Sequence, residues 1–274
     1  MDDLLQNPAI QAGIAPFIAA LLVAAFTARS RILGLAQVAG FATVVALTIG
    51  FSSESMTSTR KLVFVGLMTL LPVLVVELTG LRDRVSTHIS LGVLSGLAGV
   101  WVVTRLLQQK EAGPAITTGL GVVLFLAILV GSNLKVSTDP VRGAASGLML
   151  GLGSGALALL GASALLAQFG IAMGAAAGAT LLVQMVTGKR APAGFTLSLP
   201  ASVVTGMVGL LAAFTGSLPW FCILPMLAVP WATRLVPAGN RPVWITAFLT
   251  ALAALIPMLL AVALAWLTAG TPAT

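Results

Sequence analysis

Few residues in this chain are equipped for chemistry. Glu77 is the only carboxylate inside a long apolar run. An acid at membrane depth is costly, and its chemistry would be to carry a proton or to meet a cation. It follows Pro72 by about one and a half helical turns. Pro72 has a counterpart. Leu71-Pro72-Val73-Leu74-Val75-Val76 recurs as Leu199-Pro200-Ala201-Ser202-Val203-Val204, 128 residues later. A proline inside a helix removes a donor and frees a carbonyl one turn back, and paired interruptions point to a site near the bilayer midplane. Ser202, Thr205 (the counterpart of Glu77), Gln37 and Gln184 would line such a pathway with weak polar groups. The plainer readings are that the prolines shape packing and the hydroxyls and amides join helices. Glu77 would then reach the headgroups, close to Arg82 and Arg84.

A second pair of segments repeats at nearly the same offset. Trp101-Val102-Val103-Thr104-Arg105-Leu106 recurs as Trp231-Ala232-Thr233-Arg234-Leu235, and Pro114-Ala115-Ile116-Thr117 as Pro242-Val243-Trp244-Ile245-Thr246. Arg105 and Arg234 read either as two cations gripping an anionic group or as interfacial anchors beside Trp101 and Trp231.

The missing motifs exclude several function classes. His88 is the only histidine, which rules out a histidine metal site, and there is no Ser/His/Asp set and no Walker motif. The chain is therefore expected not to be an enzyme, with no metal and no cofactor. Gly151-Leu152-Gly153-Ser154-Gly155 lacks the strand and lysine of a nucleotide loop. Gly147, Gly151 and Gly155, and Gly170, Gly174 and Gly178, have the four-residue spacing of close helix packing. Cys222 is the only cysteine, so no internal disulfide can form.

Hydrophobic residues make up 58% of the 274 residues, charged residues 8%, and the mean hydropathy is +1.09. Continuous apolar runs of about 20 residues predict an all-α, polytopic integral membrane protein in contact with the lipid bilayer. The acidic start, Met1-Asp2-Asp3, is unlike a cleavable signal peptide. The net charge of +7 lies in short loops, so topology rather than nucleic acid explains it.

The runs predict about ten spans: 8–28, 32–51, 62–80, 88–107, 115–134, 143–167, 169–187, 196–216, 219–236 and 243–268. Gly170 and the segment Gly216-Ser217-Leu218-Pro219 mark the two boundaries that carry no charge. The odd-numbered loops hold ten basic residues: Arg29, Arg31, Arg82, Arg84, Lys135, Arg142, Lys189, Arg190, Arg234 and Arg241. The even-numbered loops hold four, namely Arg60, Lys61, Arg105 and Lys110. The excess places the odd loops in the cytoplasm and both termini outside, in a bacterial inner membrane.

The repeats align spans 3, 4 and 5 with spans 8, 9 and 10. Gly34-Leu35-Ala36 and Gly170-Ile171-Ala172 align span 2 with span 7, at an offset of 136. Five spans is an odd number, so 138–274 would be an inverted copy of 1–137, the two forming one integrated membrane domain. Ten spans in two five-span halves resembles the drug/metabolite transporter architecture in topology, but the outward termini depart from it. These features predict a secondary transporter or permease for a small neutral or weakly anionic solute, with proton coupling through Glu77. The alternative is a non-transporting subunit, scaffold or assembly factor of an envelope complex, binding other membrane subunits through its helices. The two differ in one observable: a transporter needs a polar, water-reachable cavity near Pro72 and Pro200.

Overall fold

The computed structural model describes residues 7–269 except 29, 31, 52–55, 82–83, 162, 192–193, 217 and 238–240. Asp2, Asp3, Arg29, Arg31, Arg82 and the breaker residue Ser217 therefore lie outside the described residues. The described residues form helices and no strand. Eight helices are long and apolar enough to cross a membrane: α1 (Ile10–Thr27), α3 (Ser58–Thr79), α4 (Val85–Leu107), α5 (Ala112–Val136), α6 (Pro140–Leu160), α7 (Ala164–Thr187), α8 (Gly194–Thr215) and α10 (Val243–Thr268). Two apolar helices are shorter, α2 (Leu35–Thr48) and α9 (Trp220–Leu235). The chain is a multi-pass helical membrane protein.

Local chemistry sets the helix ends. Thr57 accepts a hydrogen bond from Arg60 N–H at the start of α3, and Asp139, followed by Pro140, accepts one from Val141 N–H at the start of α6. Gly80 and Gly188 end α3 and α7 at positive φ, 68° and 64°, where a side chain would be strained. One expected boundary moves. The sixth helix stops at Leu160 rather than 167, and Ser163, whose hydroxyl accepts from Leu166 N–H, starts the seventh. Gly170 is thus not a breaker. It lies inside α7, where a Cβ would press on Gly155 and on Ser154 Oγ. Gly151 is equally tight against Gly174, so the spaced glycines bring α6 and α7 into backbone contact.

α9 is mostly a 3₁₀ helix. Trp220–Ala228 and Thr233–Leu235 are 3₁₀, with a four-residue α segment, Val229–Ala232, between them. The looser 3₁₀ rise stretches these residues over about 30 Å, the thickness of a hydrocarbon core. At one end Cys222 Sγ lies 3.5 Å from Thr268 Oγ1, and at the other Arg234 donates to Lys135 C=O at 3.1 Å.

α8 is the hub. It packs on α2, α3, α4, α5, α6, α7 and α9, and every residue from Gly194 to Ala212 is buried. α1 and α2 flank α7, α4 pairs with α5, and α9 pairs with α10. Polar contacts join loop residues at one end of the bundle: Asp139 with Arg190 at 3.1 Å and Arg142 at 3.8 Å, Arg142 with Val236 C=O, and Arg234 with Lys135 C=O. This end is called the odd-loop face. At the other end, Gln11 donates to Leu47 C=O and Lys61 to Trp101 C=O.

Candidate functional site

The two prolines distort their helices differently. Pro72 cannot donate to the carbonyl of Met68, and α3 breaks there: the helix pauses at Thr69, whose hydroxyl turns back to Gly66 C=O at 2.6 Å. Pro200 cannot donate to the carbonyl of Thr196, yet α8 runs unbroken from Gly194 to Thr215. α8, packed on all sides, stays continuous, where α3, exposed along one side, is interrupted.

Glu77 does not face a cavity. Its Oε1 accepts the backbone N–H of Phe195 at 2.7 Å. Gly194 sits beside the carboxylate with φ of 56°, and a Cβ there would collide with Oε1. Glu77 therefore caps the first turn of α8 from another helix, where the helix dipole favours an anion. The His88 ring meets Phe195 edge-on at 5.1 Å, so α3, α4 and the start of α8 meet at this point.

The other candidates along α8 are engaged within the helix or with its neighbours. Ser202 Oγ donates to Ser198 C=O and Thr205 Oγ1 to Ala201 C=O, each at 2.6 Å. Gln37 Nε2 donates to Met173 C=O at 2.7 Å, tying α2 to α7, and Gln184 Nε2 reaches Pro140 C=O at 3.4 Å. The structure brings Glu77 and Pro72 to the α3–α8 contact, whereas Thr205 faces α5, α6 and α9, and Pro200 and Ser202 are buried in α8. Gln37 sits between α2 and α7, and Gln184 near the odd-loop end.

Arg105 and Arg234 do not converge. Arg234 stacks on Trp231 at 4.8 Å and donates to Lys135 C=O on the odd-loop face. Arg105 is exposed at the opposite end, where Lys61 rather than Arg105 lies over Trp101, at 5.1 Å. This is the arrangement of interfacial anchors.

Two grooves open among the described residues. One, of about 330 Å³, lies beside Pro72, between α3 and α4 with Leu199 and Val203 of α8 as its floor. Its walls include the exposed apolar residues Phe64, Met68, Leu94 and Trp101. The other, of about 780 Å³, lies between α5, α8 and α9. Next to Thr205 and Ser154 there is only a void of about 10 Å³, too small for a solute.

Two residues at these sites carry no repeat signature. Asn133, fully buried, donates from Nδ2 to Ser198 C=O at 3.1 Å and ties α5 to α8 two residues before Pro200. A single amide in the apolar run of the fifth span is the signal that marks it. Lys110 stands at the mouth of the larger groove, and only its place just before an apolar helix pointed there. No group of three or more metal-ligating side chains occurs among the described residues.

No family model, no curated protein and no solved structure matches this chain. The topological likeness to the drug/metabolite transporter architecture gains nothing from these comparisons.

Proposed function

We propose that this chain is a non-transporting integral membrane subunit, a scaffold or assembly component that engages neighbouring lipids and membrane partners through its flanks. The observation that carries this reading is the closed interior at Pro200. Residues 194–212 of α8 are buried without a gap, and the Ser202 and Thr205 hydroxyls bond to their own helix. The open spaces are apolar grooves lined by exposed mid-helix side chains. In a bilayer such walls face hydrocarbon, where acyl chains or partner helices bind by shape. In this reading the odd-loop face, with its clustered arginines, is cytoplasmic, both termini lie outside, and the membrane is a bacterial inner membrane.

One observation favours the rival reading, a secondary transporter of ten crossings in two inverted halves. α2 meets α7 in antiparallel register through Gln37–Met173 and Phe41–Phe169, so the register centres on Gln37 and Met173, counterparts at the repeat offset of 136. α3 meets α8 through Gly66–Val204 and Glu77–Phe195, a register centred on Leu71-Pro72 against Leu199-Pro200, counterparts at 128. A two-fold axis in the membrane plane would pass through both centres.

Water access separates the two readings. With Cys222 replaced by Ala, single cysteines at Ser198, Ser202 and Thr205 are expected to resist membrane-impermeant thiol reagents applied from either side of the membrane. Labelling of any of the three would open a path along α8 and return the transporter reading to first place.

A further inference from the structure

A second groove among the described residues lies away from Pro72 and Pro200. It is the groove of about 780 Å³ between α5, α8 and α9, within the range of sites that hold small ligands. Leu124, Ile128, Phe214 and Leu227 make its walls apolar, and it contains one charged side chain, Lys110. Lys110 Nζ donates to Thr118 Oγ1 at 3.4 Å and lies 5.9 Å from the centre of the Phe214 ring. The ammonium is thus held at the mouth, where the apolar wall begins. Glu111, the next residue, is not part of the lining, so Lys110 is the charged group that faces the groove. Trp220, 63% exposed, stands on the same rim at the level that tryptophans occupy in membranes.

The groove has the depth of one leaflet. From Thr118 to Ile128 it follows α5 for about 15 Å, half of a hydrocarbon core about 30 Å thick. On its inner side lie Phe125 and Ile223, which also line the small void beside Thr205. A neutral chain would leave Lys110 unused, and a water-soluble anion would leave the trough empty.

We propose that this groove binds one acyl chain of an anionic phospholipid, drawn from the leaflet opposite the odd-loop face, with the phosphate held by Lys110 and Thr118. The site is independent of whether the α8 interior ever opens.

The test is native mass spectrometry of the purified full-length protein, titrated with phosphatidylglycerol and with phosphatidylcholine of the same chain length. Phosphatidylglycerol is expected to bind preferentially, and Lys110→Gln to lower its binding about five-fold while leaving phosphatidylcholine unchanged. Gly121→Leu is expected to lower the binding of both. Gly121 lines the groove, and a Cβ there meets no atom within 4 Å, so the new side chain fills the trough without straining α5. Leucine also favours the helix over glycine, so a thermal midpoint at or above that of the native protein shows that the variant is folded. Equal binding of the two lipids by the native protein would overturn the proposal, as would native-like binding by both variants. Competition by millimolar inorganic phosphate would overturn it too, by pointing to a soluble anion instead of a lipid.

Discussion

Around Pro72 and around Pro200 nearly the same hexapeptide meets opposite surroundings. In α8 it lies at the centre of the bundle, and 89% of the helix's apolar window is buried. In α3 it lies at the edge, with 33% buried and Leu71, Val75 and Leu78 exposed. The proline breaks the peripheral helix and leaves the central one continuous. Local sequence sets a tendency to bend, and the neighbours decide whether it is expressed. Glu77 links the two regions, since the edge helix supplies the carboxylate that caps the central one.

The largest difference should appear on adding bulk. Ala201 and Val73 are counterparts, both wholly buried, but Ala201 is enclosed by α8's neighbours and lies near the position a Cβ on Gly147 would take, 3.5 Å away. Ala201→Leu is expected to cost about 3 kcal/mol, the upper end for overpacking, and to lower the thermal midpoint in detergent sharply. Val75→Leu, on the exposed side of α3, should change it by less than about 0.5 kcal/mol. Similar midpoints for the two variants would mean that α8 is no more tightly enclosed than α3.

The contrast between the helices is only partly visible in the sequence. Membrane class, most helix boundaries and the α6–α7 glycine contact are legible, because apolar runs, caps and four-residue spacing act locally. Centre and edge are not, because lipid and protein interior are equally apolar and an edge helix needs no polar face. A weaker signal was present: α3 and α10, which face outward, are more apolar than α6, α7 and α8, which are richer in Gly, Ser and Thr. At the candidate site, the proline-bearing helices α3 and α8 pack together, but the chemistry assigned to Glu77 depended on its partner. The Phe195 N–H that holds it is 118 residues away and has no side-chain signature.

The next effect falls on the link between the two regions. Glu77→Ala leaves the Phe195 N–H without its acceptor and is expected to cost about 2 kcal/mol, the scale of a hydrogen bond to a charged group. Glu77→Gln keeps an acceptor oxygen and loses the charge at the helix start, so it should cost about 1 kcal/mol. Thermal unfolding of the two variants should rank them in that order. If Glu77→Ala is as stable as the native protein, the α3 carboxylate does not support α8, and a role in proton or cation chemistry regains its claim on this residue.

The smallest effect, and the most direct on the comparison, concerns the prolines themselves. Pro72→Ala restores a donor opposite the Met68 carbonyl in a helix whose outer side is exposed. The two segments should join, and amide exchange from Thr69 to Val73 should slow. Pro200→Ala adds an N–H to a helix that is already continuous and enclosed, so exchange along α8 should hardly change. Stability should move by less than about 1 kcal/mol in either variant, because each gains at most one backbone hydrogen bond. Equal slowing at both sites would mean that α8 is strained at Pro200 as α3 is at Pro72. Its straightness would then owe nothing to the enclosing helices. No slowing at Pro72 would place the cause of the α3 break in Thr69, whose hydroxyl already competes for the Gly66 carbonyl.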